Sequence, residues 1–187
     1  MKTRFSIGLA AVSLLLACQS HSYQIEGYAR DFQDGDTICL VSEISNVKKI
    51  EQTTVTNGRF LMIGDIDSVC FCHAFVKNDP DSRLSFFLES GHIVLEFHKY
   101  PELSRVSGTH LNNNWQQLTD SVHFLSRNII NILRNPATEA SKQTENVRAV
   151  DSLHRRISEC ITKTAKRNVD NPLGRFIHEN YKAPEFK

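Results

Sequence analysis

Thr53-Thr54-Val55-Thr56-Asn57-Gly58-Arg59-Phe60-Leu61-Met62-Ile63-Gly64 decides the fold class of the first half of this chain. Asn-Gly tolerates positive φ at both central positions of a tight turn. Here it joins two strand-like runs, Lys49 to Thr56 and Arg59 to Gly64, so the stretch reads as a two-residue β-hairpin. Upstream, Tyr23, Ile25, Gly27 and Ala29 alternate with polar neighbours, and Asp34-Gly35-Asp36 turns into Thr37 to Ser42. Downstream, after Asp65 to Asp67, Val69, Phe71, His73 and Phe75 share one face of a strand. Cys70, Cys72, Ala74 and Val76 share the other, and both faces are expected to be partly buried. Asn78-Asp79-Pro80-Asp81 reads as a loop, Leu84 to Leu88 as a strand, Ser90-Gly91 as a turn and Ile93 to Phe97 as a strand. This spacing predicts an antiparallel β-sandwich of about eight strands or an open barrel.

The period changes after Gly108. Leu111, Trp115, Leu118, Val122, Leu125, Ile129 and Ile132 recur at three and four residues, with Thr109 as the expected cap and Asn135-Pro136 as the stop. Val147, Val150, Leu153, Ile157, Cys160, Ile161 and Thr164 mark a second helix. Asn171-Pro172 opens a short third through Leu173, Phe176, Ile177 and Tyr181. Each apolar stripe is narrow and needs a cover. The expected architecture is therefore α+β: a β-sandwich over 23–108, then a helical segment over 109–182 packed on it, with 183–187 as a tail. Trp115, the only tryptophan, sits one turn inside the first helix and is expected to dock the helices onto the sandwich.

The N-terminus carries an address. Lys2 and Arg4 precede an apolar run from Phe5 to Ala17, too short for a transmembrane helix, which needs roughly 20 apolar residues. Residues 1–17 therefore read as a signal peptide. Leu15-Leu16-Ala17-Cys18 resembles a lipobox, which implies that Cys18 becomes an acylated, palmitate-bearing N-terminus on a short linker, 18–22. Gln19-Ser20-His21-Ser22 contains no acidic cluster of the sort that marks surface export. The expected location is the outer membrane, lipid-anchored and facing the periplasm. A net charge of +1 gives no reason to expect nucleic acid. Residues 19–104 hold 7 Lys/Arg against 13 Asp/Glu, and residues 105–187 hold 13 against 8. The two halves either attract each other across an interface or carry ordinary solvated charge.

Several segments together resemble a known group. They are Tyr23-Gln24-Ile25-Glu26-Gly27, Thr54-Val55-Thr56-Asn57-Gly58-Arg59-Phe60, Phe86-Phe87-Leu88-Glu89-Ser90-Gly91-His92-Ile93, Val106-Ser107-Gly108-Thr109 and Asn171-Pro172-Leu173-Gly174. The group is the domain of unknown function that stands N-terminal to a thioredoxin-like domain in exported thiol:disulfide oxidoreductases of gut Gram-negative anaerobes. The resemblance implies a sandwich fold, an envelope location and a neighbourhood of redox proteins. It does not imply redox activity here, because these 187 residues contain no Cys-x-x-Cys, although Ala183-Pro184-Glu185-Phe186 looks like the start of a thioredoxin-like domain.

Besides Cys18, the cysteines are Cys39, Cys70, Cys72 and Cys160. Cys70 and Cys72 lie two apart on one strand, with Cα atoms about 6.6 Å apart, at the far edge of disulfide reach. Cys39 bridges to one of them if their strands adjoin; Cys160 lies on an apolar helix face, where a thiol behaves as a small hydrophobe. His73 points away from Cys70 and Cys72, so no metal site and no cofactor is expected. No Gly-x-Ser-x-Gly, no Ser-x-x-Lys with partners and no carboxylate pair in a plausible cleft is present, and Glu89-Ser90-Gly91-His92 reads as a turn rather than a relay. Arg155, Arg156, Lys163, Lys166 and Arg167 form a solvated outer face or an anionic contact. Two functions remain: a non-catalytic envelope lipoprotein that binds a protein or peptide, with a thioredoxin-like oxidoreductase as a candidate partner, or a thiol:disulfide accessory using Cys70 or Cys72.

Overall fold

The computed structural model describes residues 21–44 and 47–181. The expected signal peptide, the expected lipidation site Cys18 and the tail 183–187 lie outside the described residues. Eight strands come first: β1 (Ser22–Tyr28), β2 (Thr37–Ile44), β3 (Val47–Thr54), β4 (Arg59–Asp65), β5 (Cys70–Val76), β6 (Asp79–Leu88), β7 (Gly91–Glu96) and β8 (Arg105–Ser107). A 3-10 turn, Pro101–Leu103, precedes β8, and α1 (His110–Arg134), α2 (Ala140–Arg167) and α3 (Pro172–Asn180) follow.

The strands form two four-stranded sheets, ordered β4-β1-β7-β8 and β3-β2-β5-β6. The fold is the expected α+β sandwich with helices. Its ladders are antiparallel except one: β1 and β7 run parallel, with Tyr23 beside Gly91. The Asn-Gly hairpin turns with φ of 52° at Asn57 and 66° at Gly58, closed by Thr56 and Arg59 exchanging N–H···O bonds of 2.8 and 3.1 Å. Past this turn β3 and β4 part into different sheets, which makes the hairpin the hinge of the sandwich.

Two features departed from the sequence pattern. β6 begins at Asp79, inside the expected loop. The register of β5 and β6 shifts between Ala74 and Val76, and Ser82 repairs the ladder there: its hydroxyl accepts from Val76 N (3.0 Å) and donates to Asp79 O (2.6 Å). β8 has three residues, too few to show a period.

One core fills the space between the sheets, with Ile25, Phe60, Met62, Ile93 and Leu95 from one and Ile38, Leu40, Cys72, Ala74 and Phe86 from the other. Two glycines make room for aromatic rings opposite them. Phe60 pairs with Gly27 and Tyr23 with Gly64; a Cβ at Gly27 would lie 2.0 Å from the Phe60 ring, and one at Gly64 would lie 2.6 Å from the Tyr23 hydroxyl. The helices join this core through Leu111, Trp115, Leu118, Leu173 and Ile177. Farther along, α1 and α2 hold each other through a separate small cluster of Leu125, Ile129 and Leu153. α3 starts where expected: Asn171 caps it by accepting from Leu173 N and Gly174 N. Thr109 differs from the expectation, because its side chain makes no capping bond and instead accepts from Asn112 Nδ2 at 2.9 Å.

Candidate functional site

β6 and β8 are edge strands of different sheets, and an edge strand presents unpaired backbone groups. Lys77 N bonds Thr37 O at 2.9 Å, which sets the alternation across the second sheet. Cys72 and Ala74 then bond the even residues of β6, opposite them in register, while Ser85 and Phe87 turn their backbone groups outward. α1 meets these groups with side chains. Asn112, fully buried, accepts from Phe87 N (2.9 Å) and donates to Phe87 O (2.8 Å), pairing with that residue as another strand would. Trp115 Nε1 donates to Ser85 O at 2.9 Å. On the opposite edge, Gln116 Oε1 accepts from Val106 N at 2.8 Å, and Asp120 pairs with Arg105 at 3.4 Å. One helix thus seals both edges.

Trp115 is also the centre of an aromatic cluster on the outer face of β5 and β6. Its ring stands edge-on to Phe71 (5.4 Å), Phe87 (6.0 Å) and Phe176 of α3 (5.6 Å). Such perpendicular pairs each contribute roughly 0.5–1.5 kcal/mol beyond burial.

The seal stops at Trp115. Past it α1 and β6 diverge and leave a cleft of about 440 Å³, walled by Arg83, Ser85, Arg105, Trp115, His123 and Tyr181 among others. Arg105 is engaged with Asp120 and with the carbonyls of Glu102 (3.1 Å) and Ser104 (3.0 Å). Arg83 is exposed and is in no ion pair among the described residues. The outward N–H of Ser85 faces this side, beyond the last bond that α1 makes to β6, and Glu102 of the 3-10 turn shares the lining. A second cavity of about 280 Å³ lies at the far end of the helical pair, lined by Ile132, Leu133, Val147 and Val150; there Leu133 is 65% and Val147 61% exposed.

The candidate thiols are arranged differently from the bridging expectation. β2 and β5 do adjoin, but Cys39 stands opposite Phe75 while Ser42 stands opposite Cys72. Alternation therefore puts Cys39 on the other face of the sheet from Cys70 and Cys72, and a bridge would need a one-residue slip. Cys39, Cys72 and Cys160 carry no disulfide. Cys72 is fully buried, with its Sγ 3.4 Å from the carbonyl of Phe86; burial first, then the neighbouring Cys70, pushes its pKa well above the usual thiol range. His73 bonds Ser85 Oγ at 2.8 Å on the outer face, away from Cys70 and Cys72. Among the described residues no three His, Cys, Asp or Glu side chains converge as metal ligands. On β7, His92 lies 3.3 Å from Glu26 of β1.

Across the far side of the core, the Tyr23 hydroxyl donates to Glu51. Burial, then this bond, raises its pKa far above the phenol range.

Sequence reasoning passed over Asn112, Gln116, Arg83 and Tyr181. One signal was available, since Asn112-Asn113-Asn114 is a poor composition for the start of a helix interior unless the side chains bond elsewhere. No curated protein and no solved structure matches this chain. Residues 23–115 match the family described as a domain of unknown function (DUF4369), a stretch that covers the strands and the start of α1 as far as Trp115.

Proposed function

We propose that this protein is an exported lipoprotein, anchored through acylated Cys18 in the outer membrane and facing the periplasm, that binds a protein or peptide without catalysing a reaction. Lys2 and Arg4, the apolar run to Ala17 and Leu15-Leu16-Ala17-Cys18 support the address. No helix among the described residues is long and apolar enough to cross a membrane. The observation that carries the binding role is the cleft beyond Trp115, where aromatic and charged side chains surround an opening between α1, β6 and the Pro101–Leu103 turn. A thioredoxin-like oxidoreductase is the partner that the family resemblance favours. Cys72 gives the thiol-accessory reading no support, because a reactive thiol needs exposure and a lowered pKa, and Cys72 has neither; that reading rests on Cys70, which is half-buried.

A photo-crosslinking residue at Thr119, in the cleft wall, tests this in the anchored protein. We expect a discrete adduct from Thr119 and none from Gln24 on the opposite sheet, in a membrane fraction whose mature chain starts at Cys18 with added acyl mass. Adducts from both positions alike, or from neither, would overturn the binding role; an unprocessed soluble chain would overturn the address.

A further inference from the structure

We infer that the free edge of β4 is an interface between two copies of this chain, joined antiparallel about Ile63 into one eight-stranded sheet. Three of the sandwich's four edges carry protection. α1 covers β6 and β8 with Asn112, Trp115 and Gln116, and β3 carries Lys48, Lys49 and Glu51, charges of the kind that discourage pairing. β4 has neither device: among the described residues β1 is the only strand bonded to it, and Arg59 to Asp65 contains no lysine and no proline. Its alternation is fixed at both ends. The register with β1 runs unbroken from Tyr28 beside Arg59 to Ser22 beside Asp65. Arg59 exchanges backbone bonds with Thr56, away from β1, and Ile66 N donates to His21 O, so even residues bond β1 and odd residues turn their backbone groups off the sheet. Leu61 and Ile63 thus offer N–H and C=O at the edge, with side chains 50% and 66% exposed on the outer face.

The partner that fits this edge is a second copy. β4 has Arg59 at one end and Asp65 at the other, so antiparallel pairing brings the cation of each copy to the carboxylate of the other, whereas parallel pairing would set like beside like. Centred on Ile63, the two Ile63 residues exchange both backbone bonds, and Leu61 exchanges bonds with Asp65 of the second copy. Leu61 and Ile63 of both copies then form one apolar stripe. Arg59 meets Asp65 of the second copy across a diagonal of about 7–8 Å, within reach of a long side chain. The second copy's strand ends opposite Leu61 and stops short of Thr56, and an opening of about 480 Å³ beside Phe60 and Leu61 leaves room on that side.

The full-length protein, in a non-ionic detergent matched in density by the buffer, should sediment at equilibrium as a reversible dimer. Ile63→Pro removes an N–H that β1 does not use, a change that edge strands tolerate, so this variant should keep the circular dichroism of the parent and sediment as a monomer. Arg59→Asp and Asp65→Arg each set like charges together and should weaken dimerisation roughly tenfold. An equimolar mixture of those two variants, or both changes in one chain, should restore it, because each cation again meets a carboxylate. If Ile63→Pro fails to fold, the charge exchange decides alone. A monomeric parent, a folded Ile63→Pro chain that still dimerises, single charge variants that associate like the parent, or a mixture that does not regain the dimer would overturn the inference.

Discussion

At the residue scale, Asn112 and Trp115 hold the molecule together by two different kinds of interaction. Asn112→Ala leaves the amide and the carbonyl of Phe87 without partners in a dry site, and each such group costs about 1–3 kcal/mol. Trp115→Ala opens a cavity beneath three aromatic rings, at about 3–5 kcal/mol. Either loss is a large share of the 5–15 kcal/mol that a domain usually has. Urea unfolding followed by circular dichroism should show both midpoints well below the parent, with Trp115→Phe intermediate because it keeps packing and loses the bond to Ser85. A parent-like midpoint for Asn112→Ala would mean that water replaces the side chain at the edge. Tyr23 and Cys72 set the pH response. Both have pKa values raised on folding, so the folded chain holds these protons longer than the unfolded chain. Their contribution is complete below the ordinary thiol and phenol pKa values, about 8.5 and 10, and is lost as pH rises beyond them. The urea midpoint should therefore hold steady to about pH 8 and fall above it, and Tyr23→Phe should flatten the upper part of the fall.

At the element scale, the helical pair has two regimes. Near its start α1 is fixed to both sheets; past Val122 it leans on α2 through a cluster of three buried residues. Regions with few buried contacts open at low free energy, so amides of residues 125–157 should exchange faster than those of β1, β2 and β5 in native-state hydrogen exchange. Leu153→Ala should increase that exchange while leaving sheet protection nearly unchanged. Uniform protection throughout would show instead that the pair and the sandwich open as one unit. The Asn57-Gly58 hairpin and the three helices were legible in the sequence because their signals are local: a turn dipeptide and runs of apolar spacing. β8 and the early start of β6 were not, since three residues have no period and Pro80 reads as a loop until Ser82 is seen to bridge the bulge. The cleft was illegible for a related reason. It depends on which alternate residues of β6 face outward, and that is set by a hydrogen bond between Lys77 and Thr37 far along the chain.

At the scale of the whole molecule, the apolar pattern was enough to anticipate one core shared by sheets and helices, and Trp115 at their junction was readable from its place one turn inside α1. The face on which it docks was not readable, because the two faces of β5 are nearly equally apolar and only pairing tells the inner from the outer. The parallel pairing of β1 with β7 has a kinetic consequence. A hairpin can close as soon as it is made, but β1 gains its second neighbour only when Gly91–Glu96 has been synthesised, and the edges at β6 and β8 stay open until α1 arrives. Contacts so distant along the chain slow folding, to the range of milliseconds to seconds for sheet proteins. Refolding of the chain starting at Gln19 should follow that timescale, and under the export proposed above the nascent sandwich would stay a polypeptide that a translocation channel can thread until its helices are released.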